Sequence, residues 1–352
     1  PLIANDLGIS SSESGLLVGS FLLMTAVFSI PSGFIIRWLG LKNTFTVVSI
    51  LIGTLSLAYF KTNFETLLAL RILSGLGVAI LIPSTGPLLV GWFKPSEVSL
   101  MSGIIFSSFA AGMVISMATA SVGTELLGWP GLISLYGILG ITGALLWLLV
   151  GKNPGYSEAH EDGNLLSEMR LVMRNRVLFL LVFVDVVVFP QFIVLTGWLP
   201  SFYTEFHGTT LAESSLIVSF IALFGIPGTL ISGILSSKTG PRREYLIVAG
   251  IMAGLGGLGS FLTDNITIKY ISLFSLGFGS SFYFPIILAW CTQLPGISRT
   301  GVALAWGWIM CFSALSAFIA PPLVGIVKDT TGSFVTGFVV VNLLSWSIIF
   351  IA

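Results

Sequence analysis

Charged residues are scarce in this chain. Asp, Glu, Lys and Arg make up only 9% of its 352 residues, whereas soluble domains average about 25%. The 15 basic residues balance the 15 acidic ones, so no cationic excess is available to bind nucleic-acid phosphates. The two cysteines, Cys291 and Cys311, both lie in apolar stretches, which argues against a disulfide framework or a cysteine metal site. These deficits exclude an ordinary soluble domain and a nucleic-acid-binding protein.

What the chain has instead is long apolar stretches, since 55% of its residues are of the types AVILMFWYC. About 20 apolar residues are needed for one helix to cross a membrane. Eleven nearly uncharged stretches meet this length, at 14–36, 44–60, 66–90, 101–123, 131–150, 177–199, 215–236, 245–262, 270–291, 301–324 and 334–352. The sequence therefore predicts an all-α, multi-pass integral membrane protein, in the inner membrane if the source is bacterial.

Lysine and arginine are divided unequally between alternate loops. One set of loops holds eleven of these residues, and the other holds only Lys61, Lys269 and Lys328. Because cytoplasmic loops collect Lys and Arg, the first set is predicted to face the cytoplasm. The two histidines, His160 and His207, then lie on opposite sides of the membrane, and no metal site is expected from them.

The chain also contains an internal repeat. Residues 12–40 match residues 212–240, so that Gly33 pairs with Gly233 and Gly40 with Gly240. A helix at 177–199 precedes the second copy, and the first copy has no counterpart to it. Transporters are commonly built from such repeats. We therefore expect two six-helix bundles, with the first of twelve transmembrane helices missing from this chain.

The repeat predicts three parts along the chain. These are an N-terminal bundle at 1–150, a cytoplasmic linker at 151–176 and a C-terminal bundle at 177–352. The linker contains no apolar run and carries four cations and four acids in its 26 positions. Its residues 165–172 have the pattern of a short amphipathic helix that lies on the membrane surface.

Each half carries a turn rich in glycine and cations. The two turns read Gly33-Phe-Ile-Ile-Arg37-Trp-Leu-Gly40-Leu-Lys42 and Gly233-Ile-Leu-Ser-Ser237-Lys-Thr-Gly240-Pro-Arg242-Arg243. This pattern resembles the GxLaDRxGRR loop of the major facilitator superfamily. The resemblance implies the major facilitator fold and a cytoplasmic gate at these turns. The family's acidic position is Arg37 in one copy and Ser237 in the other, so a different contact must close this gate.

Two further motifs resemble one branch of that superfamily. Arg71-Ile-Leu-Ser-Gly75-Leu-Gly77 is similar to its RxxxGxG signature, and Thr196-Gly-Trp-Leu-Pro200 follows in the second half. Together they resemble the anion:cation symporters and their cyanate-transporter-like relatives, which implies a small anion as substrate. The nitrate/nitrite branch matches less well, because the uncharged residues 27–29 stand where those transporters place an anion-binding arginine.

Arg71 and Asp185 are the charged residues predicted well inside spans. A charge in hydrocarbon is costly, so such residues usually face a cavity and a partner. Arg71 is a candidate for binding an anion or for ion coupling; alternatively, backbone carbonyls or a carboxylate on the missing helix satisfy it. A carboxyl group removed from water favours its protonated form, which makes Asp185 a candidate proton carrier. The alternative for Asp185 is a structural hydrogen bond.

Three uncharged residues complete the predicted site. Gln191 follows Pro190, which frees a backbone carbonyl and kinks the helix. Tyr283 lies in mid-span, and Trp306 lies beside a glycine. Helix packing is the alternative for each of them. No span contains paired carboxylates or a Ser/His or His/Cys set, and no Walker loop is present, so neither enzyme activity nor a cofactor is expected.

The sequence therefore predicts a secondary active transporter that moves a small organic or inorganic anion by proton-coupled symport through alternating access. Its expected partners are the anion, H⁺ and the lipid bilayer, and a monomer is expected because one chain can supply the whole pathway. Two alternatives remain open. One is proton-coupled efflux of apolar or cationic compounds, with Asp185 binding the substrate's charge. The other is a receptor-like membrane protein that binds a solute without transporting it.

Overall fold

The computed structural model describes residues 2–9, 11–60, 63–153, 165–238, 242–294 and 297–351. Within these ranges the chain forms α-helices and one 3₁₀ segment, Thr54–Tyr59, and no strand. The helices are α1 (Leu2–Leu7), α2 (Ser11–Phe28), α3 (Ser32–Gly53), α4 (Phe64–Trp92), α5 (Pro95–Val150), α6 (Leu165–Arg174), α7 (Arg176–His207), α8 (Leu211–Lys238), α9 (Arg242–Leu262), α10 (Ile266–Cys291), α11 (Arg299–Thr331), α12 (Val335–Trp346) and α13 (Ile348–Ile351).

Many of these helices have the length and composition of membrane spans. In the described ranges, nine helical segments are long and apolar enough to cross a membrane, and Gly19–Phe28 and Val335–Trp346 are shorter apolar helices. Each of these eleven segments overlaps one of the eleven predicted stretches. The short helix predicted in the linker is α6. The all-α prediction is confirmed.

Two glycines with positive φ lie inside helices and divide each of them in two. Gly40 has φ +73° inside α3, and Gly128 has φ +67° inside α5. Residues with a side chain rarely adopt this conformation, whereas glycine adopts it readily. Both glycines fall between predicted stretches, so α3 and α5 each contain a tight turn where the sequence indicated one. The first predicted stretch, 14–36, is not one continuous helix. It is interrupted at residues 29–31, where Pro31 has no N–H to donate to a helical hydrogen bond.

Polar side chains cap the starts of helices in the second half. The side chain of Glu213 accepts a hydrogen bond from the Thr210 N–H at 2.9 Å, and the Glu213 N–H donates to Thr210 Oγ1 at 3.2 Å. At the start of α10, Asn265 Oδ1 accepts from the N–H groups of Thr267 and Ile268. These contacts satisfy backbone donors that the first helical turn leaves unpaired.

The described helices pack into two compact units that interleave along the chain. The first unit is Pro1–Trp92, Ala118–Leu178 and Leu294–Leu315; the second is Phe93–Met117, Phe179–Gln293 and Ser316–Ala352. Each unit thus consists of most of one sequence half plus one segment of the other half. The two exchanged segments correspond to each other in the internal repeat. The predicted bundles, 1–150 and 177–352, follow the sequence halves and remain a prediction.

In each unit, a glycine of the repeated motif lies at a close contact between helices. A Cβ on Gly33 of α3 would lie 2.7 Å from Leu304 Cδ2 of α11, and a Cβ on Gly233 of α8 would lie 2.8 Å from the Ser99 carbonyl oxygen of α5. Small residues allow helix backbones to approach closely in membranes. Because Gly33 pairs with Gly233 in the repeat, the two contacts are equivalent, each made with an exchanged segment.

Gly103 of α5 supports the same contact in the second unit, and its replacement is expected to lower stability. A Cβ on Gly103 would lie 2.7 Å from the Thr229 carbonyl oxygen and 3.2 Å from the Gly233 Cα. Overpacking of this kind costs about 1–3 kcal/mol, so Gly103→Ala should lower the midpoint of thermal unfolding in detergent. The control is Gly112→Ala on the same helix, where the described structure places nothing within 4 Å of a Cβ. Equal midpoints for the two variants would contradict this packing.

Candidate functional site

Asp185 of α7 and Tyr283 of α10 are hydrogen-bonded to each other in the second unit. The Tyr283 O–H donates to Asp185 Oδ1 at 2.6 Å, and both side chains are fully buried. Hydrogen bonds to an ionised carboxylate are shorter and stronger than those between neutral groups. Asp185 and Tyr283 were predicted separately from the sequence, and the structure brings them together.

Aromatic rings pack beside this pair. Phe284 stacks on the ring of its neighbour Tyr283 with the ring centroids 4.4 Å apart. It also packs on Phe106 of α5 at 5.1 Å and on Phe189 of α7 at 6.0 Å. Phe189 follows Asp185 by one helical turn, on the same face of α7. We call Asp185, Phe106, Phe189, Tyr283 and Phe284 the Asp185 site.

The three phenylalanines of the Asp185 site were not predicted from the sequence. Phe189 was detectable in principle, because it lies four residues after the charged residue. Phe284 was also detectable in principle, because it is the residue that follows Tyr283. Nothing in the sequence connects Phe106 with either helix, because the contact depends on how α5 packs in the second unit.

Gln191 of α7 is hydrogen-bonded to α9 and α12. Its Nε2 donates to the Ala253 carbonyl oxygen at 3.0 Å and to Asn342 Oδ1, and Asn342 Nδ2 donates to the Gly254 carbonyl oxygen at 2.8 Å. A Cβ on Gly257 would collide with both amide groups, so this glycine leaves room for them. The amide pair therefore joins three helices, and substrate binding by Gln191 remains a prediction.

Arg71 of α4 is half-buried in the first unit. Its carbonyl accepts a hydrogen bond from Ser74 Oγ, and its guanidinium forms no hydrogen bond or ion pair with the described residues. A Cβ on Gly75 would lie 3.2 Å from both Met24 Cβ and Phe21 Cα of α2. Residues four apart share a helix face, so Arg71 lies on the side of α4 that faces α2. A guanidinium in this setting is suited to binding an anion.

Trp306 of α11 is fully buried in the first unit. A Cβ on the next residue, Gly307, would collide with the Ser29 carbonyl oxygen and lie 3.3 Å from the Ile30 Cα. The ring thus lies beside a close contact with the interruption between α2 and α3. This position suits packing as well as cavity lining, and a substrate-binding role for Trp306 remains a prediction.

The predicted site residues are divided between the two compact units. Arg71 and Trp306 belong to the first unit, and Asp185, Gln191 and Tyr283 belong to the second. Each unit therefore holds one predicted charged site residue, half-buried Arg71 in the first and buried Asp185 in the second. Among the described residues, no group of three or more His, Cys, Asp or Glu side chains is arranged to hold a metal ion.

The first of the predicted gate motifs is fixed by its backbone. Gly40 makes the turn, and the Lys42 N–H donates to Asn153 Oδ1 at 2.9 Å. The Lys42 carbonyl accepts from Trp147 Nε1 at 3.0 Å. Arg37 is exposed. These bonds tie the turn after Gly40 to the end of α5 and the residues that follow it.

The second gate motif has a neutral side chain as its partner. Arg242 Nη2 donates to Gln293 Oε1, and Gln293 Nε2 donates to the Pro95 carbonyl oxygen at the start of α5 at 3.4 Å. Arg243 is exposed, and Gly240 lies outside the described residues. Gln293, which the sequence analysis missed, thus joins α9 and α5 in a motif that lacks the family's acid.

Comparisons with known proteins agree with this architecture. A family model described as Major Facilitator Superfamily matches residues 1–321. The probable galactarate/D-glucarate transporter GudP of Bacillus subtilis is 23% identical, over 94% of this chain and 81% of that protein. The nitrite extrusion protein of the same species is 25% identical, over 97% of this chain and 84% of that protein. The crystal structure of FucP of Escherichia coli in the outward conformation has a TM-score of 0.79 at 16% identity, over 99% of this chain and 94% of that one.

These matches confirm several predictions. The fold is that of a known membrane transporter, and the relatives are named as transporters, so the chain is a multi-pass integral membrane protein and not an enzyme. The sequence motifs predicted a weaker match to the nitrate/nitrite branch. The nitrite extrusion protein is as similar to this chain as GudP is, so these comparisons do not separate the branches and the weaker match remains a prediction. The family model covers most of the chain. The chain therefore belongs to the Major Facilitator Superfamily.

Proposed function

We propose that the chain is a secondary active transporter that carries a small organic or inorganic anion by proton-coupled symport. The observation that carries the proposal is the pair of opposite charges inside the spans, Arg71 in one compact unit and Asp185 in the other. The names of the relatives, a galactarate/D-glucarate transporter and a nitrite extrusion protein, support an anionic substrate. A single chain supplies both charges, so we propose a monomer.

In this proposal each charge has one role. Arg71 binds the anion, because a guanidinium forms strong charge-assisted hydrogen bonds with carboxylates and similar groups. Asp185 takes up a proton from water on one side and releases it on the other. Moving an unpaired charge through hydrocarbon is costly. Protonation removes the charge of Asp185 and one carboxylate or other anionic group compensates the charge of Arg71, so the loaded protein changes conformation more readily than the half-loaded one.

The test is uptake of radiolabelled D-glucarate and cyanate into proteoliposomes, with an acidic exterior and empty liposomes as the control. We expect saturable uptake that depends on the pH gradient and stops when a protonophore is added, because the proton drives the anion. Nitrite should compete with the labelled anion. Saturable binding without counterflow would contradict transport and favour the receptor-like alternative.

A second candidate function is proton-coupled efflux of apolar or cationic compounds. The observation that favours it is the Asp185 site itself, since aromatic rings beside a carboxylate attract organic cations. In this case Asp185 binds the substrate's charge directly. Extrusion of tetraphenylphosphonium from the same proteoliposomes, with no movement of any anion, would replace the first candidate by this one.

A further inference from the structure

We propose that Tyr283 is a positioning residue that makes the contact between α7 and α10 depend on the charge of Asp185. This inference rests on the proposed proton-coupled function. In it, Tyr283 holds the ionised carboxylate in place through its O–H. Protonation of the carboxylate weakens that bond and releases α10 from α7.

Tyr283 is bound to Asp185 by a hydrogen bond whose strength depends on the charge of the carboxyl group. The phenolic O–H donates to Oδ1 of Asp185 at 2.6 Å, and such a bond is roughly twice as strong to an ionised carboxylate as to a neutral group. A proton that arrives from water binds a carboxyl oxygen of Asp185 and removes its charge. Tyr283 keeps its own proton throughout. Loss of the proton from Asp185 to water restores the charge and the stronger bond.

The other titratable side chains on the helices of the second unit lie towards the helix ends. On α10 the other titratable residues, Lys269, Tyr270 and Cys291, lie at least eight positions from Tyr283, or about 12 Å along the helix. On α7, Tyr203, Glu205 and His207 lie in the last two turns and Arg176 begins the helix. The helix α12 has none. Lys94 and Asp264 lie in loops, and the remaining groups on helices lie in end turns: Glu97 of α5, Glu213 and Lys238 of α8, residues 242–245 of α9, and Lys328 and Asp329 of α11.

The packing around Tyr283 couples its bond with Asp185 to movement of α10. Phe284, which follows Tyr283, packs on Phe106 of α5 and Phe189 of α7. Pro285 comes next in α10 and lacks the N–H of a normal helical hydrogen bond, which makes bending easier at this point. A change in the bond to Asp185 therefore acts where α10 bends most easily and where its rings contact both neighbouring helices.

The test compares Tyr283→Phe with wild type in proteoliposomes. This change removes the hydroxyl and keeps the ring that packs on Phe284. The readouts are the pH profile of D-glucarate uptake and the rate of D-glucarate exchange. We expect the half-maximal pH of uptake to move about one unit towards alkaline pH, since the lost bond favoured the charged carboxylate. Exchange should remain, because it needs no net release of protons. Tyr270→Phe, an exposed position on the same helix, is the control and should leave both readouts unchanged.

Three outcomes would overturn the inference. An unchanged pH profile in Tyr283→Phe with transport intact means that the hydroxyl has no part in coupling. Equal loss of uptake and exchange, together with a lower midpoint of thermal unfolding, means that the hydroxyl is only structural. A shift in the pH dependence of D-glucarate exchange when Tyr283→Phe is added to Asp185→Asn means that the two residues act independently. If uptake of D-glucarate by the wild-type protein does not depend on pH, the proposed function itself is wrong, and this outcome is distinct from the three above.

Discussion

Replacing Arg71 with alanine is expected to reduce D-glucarate uptake at least about 100-fold, which corresponds to about 2.7 kcal/mol. The guanidinium is half-buried and forms no bond with the described residues, so in our proposal its partner is the transported anion. Arg71→Lys keeps the charge and loses the planar fork that binds a carboxylate through two parallel bonds, so it should retain a fraction of the activity. The measurement is the initial rate of uptake driven by a pH gradient.

A loss of activity must be separated from a loss of folding. D-glucarate should raise the midpoint of thermal unfolding of wild type, since a ligand that binds the native state stabilises it. Arg71→Ala should fold normally and lack this increase. Arg174→Ala removes an exposed arginine of α6 and is the matched control. If Arg71→Ala transports at close to the wild-type rate, the assignment of the anion site to Arg71 is wrong.

Much of the fold was predictable because each span needs a continuous apolar run. The turns within α3 and α5 were predictable as well, since the apolar stretches stop on either side of Gly40 and Gly128. The exchange of segments between the compact units was not. It depends on contacts such as Gly33 with Leu304 and Gly233 with Ser99, and a sequence shows which residues are small without showing which helix lies against them.

The candidate site was also predictable only in part. Asp185 and Arg71 were found because charges are rare inside spans, and Tyr283 because it is a polar aromatic residue in mid-span, two positions before Pro285. The phenylalanines of the Asp185 site were not found, because the chain has 27 phenylalanines and most spans contain several. Gln293 was missed for a different reason. A neutral amide in a loop carries no signal of its own until the structure places Arg242 beside it.

Replacing Asp185 with asparagine is expected to abolish net uptake of the anion against its gradient and to preserve exchange of the anion across the membrane. Asparagine has the shape of a protonated aspartate and cannot release a proton, so it fixes the site in one proton state. Its neutral carbonyl oxygen accepts only the weaker hydrogen bond from Tyr283 that a protonated carboxyl would accept, so the α7–α10 contact should stay in its loosened state. The two measurements are accumulation under an imposed pH gradient and counterflow at equal pH on both sides.

The pattern of losses in Asp185→Asn distinguishes the competing roles of this carboxylate. Asp264→Asn, in the exposed loop before α10, is the control and should change neither accumulation nor counterflow. Loss of accumulation alone identifies Asp185 as the proton carrier. Loss of both readouts with a lower midpoint of thermal unfolding contradicts that role and indicates a structural bond. Loss of tetraphenylphosphonium extrusion, with anion movement absent in wild type as well, means that the carboxylate binds a cationic substrate. A buried carboxylate between two helices could carry a proton, hold the helices together or bind a cationic substrate. Only the first of these roles requires the carboxylate to release its proton, so only that role predicts loss of accumulation with exchange retained.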